Sequence, residues 1–469
     1  MDHFVKRQKI AMLKDNRRIT IGRIILVLIP LSLFLCPSCQ FRDDVFVDFA
    51  NIEGAKGLSF KVIGQYETDL SQGFPANCYL PDGTPVNEYN GDMDEPASVD
   101  EEQNNGPRKT NSVTGAAILQ ELLKWGNQNR VTEIVGTYPS INLNGDTVEL
   151  SGKVMLPTGR KPKCMILVSH YTVCSNSEVP SNCFSLEGVL VKMGYGLVIP
   201  DYMGYGITAN EIHPYLVMDI TARNVLDMYL AVRPWLKAVD MEPENPKLIL
   251  MGYSQGGANS MAVEHLIETE YWYDEHPNKV DIHRVFAGGG PYDVKATYEE
   301  FVNSNVASYP VAVPLVVQGM IKGNNLKLDI KDLVQPYIYE NLDNWINSKR
   351  YTTAQINKLI GTYVTDEILS AEAMDQQSEK VMELQKAMVA NSITSFNWIP
   401  LAPVYMCHSM DDETVPFTNA SNAKAKWSYS NITYNFGHYG GHVLTCIRFI
   451  GSVQSLLEQE EKERGQYEK

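Results

Sequence analysis

Gly252, Tyr253, Ser254, Gln255 and Gly256, with Gly257 after them, set a serine among small residues. The run Lys247 to Gly252 is short and apolar, as in a strand buried on both faces, and helical sequence follows the glycines. A serine on a sharp strand-to-helix turn projects its hydroxyl above a sheet. Its neighbours must be small because strand and helix leave no room for side chains. The backbone N–H of Gln255 would open the helix, where it can stabilise a developing oxyanion. The chemistry implied is nucleophilic attack on a carbonyl. A serine hydroxyl is a weak nucleophile at neutral pH, so a base is required, with an acid to orient it.

Candidates for both lie downstream, in the order serine, acid, histidine. An apolar run from Ala402 to Cys407 leads into His408, Asp411, Asp412, Glu413 and Val415-Pro416. Asp411 and Asp412 are the candidate acids, and the one not used would cap the following turn. Farther on, Gly437, His438, Gly441 and His442 lie between an apparent strand, Ile432 to Phe436, and a helix from Val443. His438 and His442 are the candidate bases.

These residues need a scaffold. Short apolar runs at Cys164–Ser169, Gly196–Pro200, Lys247–Gly252, His283–Gly288 and Ala402–Cys407 alternate with helical periodicity, longest over Leu216 to Val239. That alternation predicts a parallel sheet with helices on both faces. Thr132 to Leu156 reads as a hairpin turning at Asn144-Gly145-Asp146. Residues 40–110 read as an extended arm with a mobile acidic loop, and 111–295 as the first part of the core. Residues 296–397 read as amphipathic helices with no buried strand, and 398–469 as the second part of the core. A helical insertion so placed would cap the strand ends, where ligands bind in open α/β sheets. Its most apolar stretch, Val311 to Val317, is expected to line an acyl pocket.

Composition narrows the function. The chain has 469 residues, 44% hydrophobic and 20% charged, with a net charge of −16. An acidic chain is a poor nucleic-acid binder, because phosphate contacts need clustered Lys and Arg. Residues 1–39 read as a targeting segment: Lys14, Arg17, Arg18 and Arg23, then an apolar run Ile24 to Leu35 broken by Pro30. That run is shorter than the roughly 20 residues of a membrane span. Ser38-Cys39 resembles a bacterial lipobox, which makes Cys39 the expected lipidation site, with Cys36 the alternative. The Gln-Phe-Arg-Asp-Asp that follows resembles the export signal of Bacteroidetes-type surface lipoproteins. The chain is thus expected to be exported and held to a membrane by a lipid anchor. Cys174 and Cys183 are the first pair to test for a disulfide, with free buried thiols equally open. There is no HExxH motif, and no CxxC pair after the leader, so no metal site is expected.

Several segments carry a resemblance. Asp201 to Gly206, His213 to Val217, Ala222 to Asp227 and the Gly252–Gly257 motif resemble the secretory lipase family of α/β hydrolases, the Candida lipase A type. The resemblance runs from about Val131 to Ile450. It implies an α/β-hydrolase fold, a mostly parallel central sheet flanked by helices, with a helical cap or lid insertion. It implies carboxylic-ester hydrolysis through an acyl-enzyme, a small-molecule or lipid ester substrate, and no cofactor. Ser254 corresponds to the nucleophile. Matching the family loop at Val415-Pro416 puts the acid at Asp412, and the loop before the last helix puts the base at His442. The oxyanion hole would combine the Gln255 N–H with that of Thr172 or Tyr171, after Ser169-His170. The family usually has His-Gly there, and Tyr171 replaces the glycine. Asp201 reads as a structural anchor for its loop. The alternative activity on this fold is a serine aminopeptidase, which would need an acidic pocket for the substrate amine.

Overall fold

The computed structural model describes residues 47–89, 114–428 and 431–467. The expected leader, with Cys36 and Cys39, and the acidic stretch 92–102 lie outside the described residues.

The apolar runs fall on the central strands, β4 to β8, of one sheet: β1 Lys61–Asp69, β2 Arg130–Ile141, β3 Thr147–Pro157, β4 Cys164–Ser169, β5 Gly196–Pro200, β6 Asn245–Tyr253, β7 Ile282–Gly288, β8 Val404–Ser409 and β9 Ile432–Gly437. Their order is β1-β2-β3-β5-β4-β6-β7-β8-β9. β1, β2, β3 and β5 pair antiparallel, and β4 to β9 form a parallel block. The pleat divides each central strand between two cores. In β4, Met165 and Leu167 enter one core, while Cys164, Ile166 and Val168 enter the other. β6 and β8 repeat the division, with Leu250 and Met406 on the first side and Met251 and Cys407 on the second. A strand buried on both faces has no polar side to show, which is why the middles of these strands are apolar.

The first core is covered by α2 (Met218–Ala238) and α3 (Gln255–Leu266), the second by α1 (Gly115–Leu122) and α11 (His442–Tyr467). Between β7 and β8 the chain forms helices α4 Val294–Ser304, α5 Ala312–Gly323, α6 Pro336–Leu342, α7 Thr353–Ile360, α8 Ala371–Met374 and α9 Glu379–Ala390. α10 (Thr418–Lys426) links β8 to β9. The β2–β3 turn is held by Asn142, whose side-chain oxygen accepts from Asn144 N at 2.9 Å and Asp146 N at 3.0 Å, with Gly145 at φ 82°.

One local reading changes, and one choice left open by the sequence is decided. The segment taken as an extended arm contains β1, the edge strand of the sheet. Ile63 and Tyr66 are exposed, and a bulge between Val62 and Gly64 breaks the period of two, so β1 carries no clean alternation. Cys174 and Cys183 form no disulfide. Both are buried free thiols, as are Cys78, Cys164, Cys407 and Cys446, and the Cys183 thiol donates to the Glu178 carbonyl at 3.1 Å. A core of this size needs no covalent staple.

Candidate active site

Ser254 joins β6 to α3 with φ 57° and ψ −127°, a backbone conformation that side chains resist by roughly 1–3 kcal/mol. The surroundings enforce it. Ser254 N donates to the Gly288 carbonyl at 2.9 Å, which locks the turn to β7. A Cβ on Gly256 would collide with the Ser169 carbonyl, and one on Gly257 with the Gly288 carbonyl. The glycines therefore allow the turn to sit between the ends of β4 and β7, which fixes where the serine hydroxyl points.

His442 opens α11. Its Nε2 lies 2.9 Å from Ser254 Oγ, and its Nδ1 lies 2.7 Å from Asp412 Oδ2. Tyr253, next to the serine, donates its hydroxyl to the His442 carbonyl at 2.8 Å and so ties the base to the elbow. All three side chains are buried. The other Asp412 oxygen accepts from Thr414 N at 3.0 Å and Val415 N at 2.8 Å. Asp412 itself thus caps the turn before Val415-Pro416, a task expected of the unused carboxylate. His408 Nε2 donates to the Val415 carbonyl at 2.9 Å and lies 3.6 Å from Asp412 Oδ2.

The competing residues occupy a different place. Asp411 and His438 pair with each other at 2.7 Å, with the His438 side chain 75% exposed. The structure therefore brings Ser254, Asp412 and His442 together and leaves Asp411 and His438 at the surface.

Burial alone would push the Asp412 carboxyl up. The His442 and His408 rings and the Val415 N–H outweigh it and hold Asp412 below its usual range. Burial likewise pushes His442 down, but Asp412, then Glu413 and Asp82, prevail and leave it above its ordinary value. A base must be neutral to accept a proton, so any activity relying on His442 disappears as pH falls through that raised value.

The oxyanion candidates lie beside the elbow. Gln255 is the first residue of α3, where backbone N–H groups have no intrahelical partner. Its side-chain Nε2 donates to His213 Nε2 at 2.9 Å, while His213 Nδ1 donates to the Met203 carbonyl at 2.8 Å. Burial lowers His213 to about 3, so it stays neutral and can accept. A Cβ on Gly256 would meet the carbonyls of Ser169 and His170, so the chain just before Tyr171 and Thr172 runs against the elbow. Both side chains are turned to structural bonds: Tyr171 OH donates to the Tyr79 carbonyl, and Thr172 Oγ1 shares a 2.8 Å bond with Tyr215 OH. Only their backbone N–H groups are therefore candidates. Asp201 is a buried anchor, accepting from Ser151 Oγ at 2.6 Å and Ser181 N at 2.8 Å.

A cavity of about 520 Å³ opens onto His442, lined also by Asp82, Tyr89, Tyr309, Lys358, Tyr363 and Glu413. A larger cleft of about 760 Å³, between the β2–β3 turn, α2 and α3, contains none of Ser254, Asp412 or His442. Val313 and Val316, expected on an acyl pocket, line a crevice of about 20 Å³ against Leu216, Tyr298 and Phe301. A single water needs roughly 10–15 Å³, so this crevice is closed to an acyl chain here.

Sequence reasoning missed Glu413 and His213. Glu413 was one of three consecutive acids, and the only available signal was its adjacency to Asp412. His213 was noted only as part of a motif.

The sequence model described as secretory lipase matches residues 174–452, more than half of the chain. This chain belongs to the secretory lipase family. The matched span holds Ser254, Asp412 and His442 but begins after Tyr171 and Thr172. Membership makes the protein a carboxylic-ester hydrolase, in a family of secreted enzymes. Among solved structures, a rice cell wall degrading esterase, LipA from Xanthomonas oryzae, is 21% identical. The match covers 73% of this chain and 95% of that one, with a TM-score of 0.61. A Legionella pneumophila protein is 19% identical over 74% of this chain and 95% of its own, with a TM-score of 0.62. At such identities the likeness concerns the fold, which is that of the α/β hydrolases. Candida antarctica lipase A is 16% identical, covering 66% and 73% of the two chains, with a TM-score of 0.49. No curated protein matches the chain in sequence. Among the described residues, no helix is long and apolar enough to cross a membrane.

Proposed function

We propose that this secretory lipase relative cleaves esters through an acyl-enzyme on Ser254, with His442 as base and Asp412 as the acid that orients it. The observation that carries the reading is the unbroken chain Ser254 Oγ to His442 Nε2 at 2.9 Å and His442 Nδ1 to Asp412 Oδ2 at 2.7 Å. Ser254 Oγ attacks the ester carbonyl while its proton moves to His442 Nε2. Asp412 stabilises the resulting imidazolium without taking the proton. The tetrahedral oxyanion is met by the Gln255 N–H and by that of Thr172 or Tyr171. Collapse expels the alcohol, protonated by His442, and water then repeats the sequence on the acyl-enzyme. The helices between β7 and β8 act as a cap, since Tyr309, Lys358 and Tyr363 from this segment line the cavity at His442.

Residues 40–469 should hydrolyse p-nitrophenyl esters with a burst of nitrophenol equal to the enzyme present, and aminoacyl anilides far more slowly. A second reading, an aminopeptidase-type activity, draws on Asp82 and Glu413, two carboxylates on the cavity where a substrate amine would need them. Anilide turnover above ester turnover would favour it and displace the esterase reading. A lipid anchor on Cys39 completes the proposal for an outer-membrane, cell-surface or periplasmic enzyme. Labelled fatty acid should enter the wild type and Cys36→Ala but not Cys39→Ala. Unchanged incorporation in Cys39→Ala would remove it.

A further inference from the structure

His442 is the first residue of α11, a helix of 26 residues. That position has two physical consequences. Its backbone N–H has no partner within the helix, and it sits at the positive end of the helix dipole. The second consequence works against a general base, because the base becomes a cation as the serine attacks. Something must offset the helix end, or the imidazolium is disfavoured when it is needed.

Glu413 stands at that place. Its Oε2 accepts from His442 N at 3.1 Å, and its Oε1 lies 3.4 Å from the same nitrogen. The preceding residue, Asp412, grips the imidazole at Nδ1. Two consecutive carboxylates from one turn therefore hold one histidine, at its ring and at its backbone. The Asp82 carboxylate also lies near His442, but Thr84 N at 2.9 Å and Thr84 Oγ1 at 2.8 Å engage its two oxygens. His408 approaches the Asp412 side of the site, Lys358 lies on the same cavity, and Tyr253 packs against the imidazole at 4.9 Å between centroids.

We infer that Glu413 is a positioning residue for the reaction: it fixes the helix end that carries His442 and counters the positive charge of that end. The inference rests on the triad reading above. Burial pushes the Glu413 carboxyl up, with the His442 charge opposing, and Glu413 in turn is one of the groups that raise His442.

Two substitutions separate the two roles. Glu413→Gln keeps an oxygen acceptor for His442 N and removes the charge. Glu413→Ala removes both. The readout is the pH profile of kcat/KM on a neutral ester, whose acid limb reports the base of the free enzyme. Glu413→Gln should hold its alkaline plateau within about threefold of wild type while the acid limb moves to lower pH. Glu413→Ala should move the limb likewise and lose about 10- to 100-fold in plateau kcat, with KM little changed, because a misplaced base acts on the chemical step. Limbs and plateaus matching wild type in both variants would overturn the inference. Should Glu413→Ala fail to fold, an unmoved limb in Glu413→Gln overturns it alone. A fluorophosphonate control keeps the failures apart: normal labelling of Ser254 with an unmoved limb sinks the Glu413 role only, whereas an unlabelled wild type sinks the triad reading itself.

Discussion

Asp412→Asn and His442→Ala are expected to lower kcat/KM by about 10⁴-fold, while Asp411→Asn and His438→Ala stay within about threefold of wild type. The contrast follows from placement. Asp412 is buried, with one oxygen on the imidazole and the other on two backbone N–H groups. An asparagine there can keep the turn but not the charge that stabilises an imidazolium, and its amide favours the wrong tautomer of His442. His442→Ala removes the proton acceptor outright. Asp411 and His438 form an exposed pair, and such pairs contribute only about 0–1 kcal/mol to stability and have no contact with the serine. Steady-state kinetics on a p-nitrophenyl ester, with thermal unfolding to verify the fold, would check all four variants. A large loss in Asp411→Asn or His438→Ala, with Asp412→Asn or His442→Ala active, would reverse the assignment.

The same contrast explains what could be read from the sequence. The central strands were legible because their middles are buried on both faces and therefore apolar, as in Cys164–Val168. The elbow was legible because three close backbone approaches each require a glycine, at Gly252, Gly256 and Gly257. Choosing between Asp411 and Asp412 from the residues alone was harder. Neighbours in a turn point in different directions, and one-dimensional sequence does not carry direction. The resemblance to a family loop made that choice, and the structure separates the two carboxylates into a buried and an exposed place. β1 was missed because an edge strand with a bulge and exposed Ile63 and Tyr66 shows no alternation. The apolar stretch Val311 to Val317 was recognisable as buried. What it faces depends on packing: α5 turns Val313 and Val316 toward Tyr298 and Phe301, and the space at His442 is lined by other residues. Glu413 was invisible for a related reason, since its role lies in a bond to a backbone nitrogen on a distant helix.

The largest effect belongs to the serine. Ser254→Ala keeps the Cβ that already fits the turn at φ 57°, so the elbow should fold as before. It removes the one atom, Oγ, that lies 2.9 Å from His442 Nε2. Loss of the nucleophile leaves only binding and oxyanion stabilisation, so ester turnover should fall by about 10⁴-fold or more. The most direct measurement is the site of covalent modification. A fluorophosphonate phosphonylates an activated serine: Oγ bonds to phosphorus, fluoride leaves, and the proton passes to the base. Intact mass and peptide mapping of the treated protein should give one adduct per chain, on the peptide containing Ser254 and on that residue. Ser254→Ala should carry none and show no burst. An adduct on another serine, or labelling and ester turnover that survive in Ser254→Ala, would contradict the account.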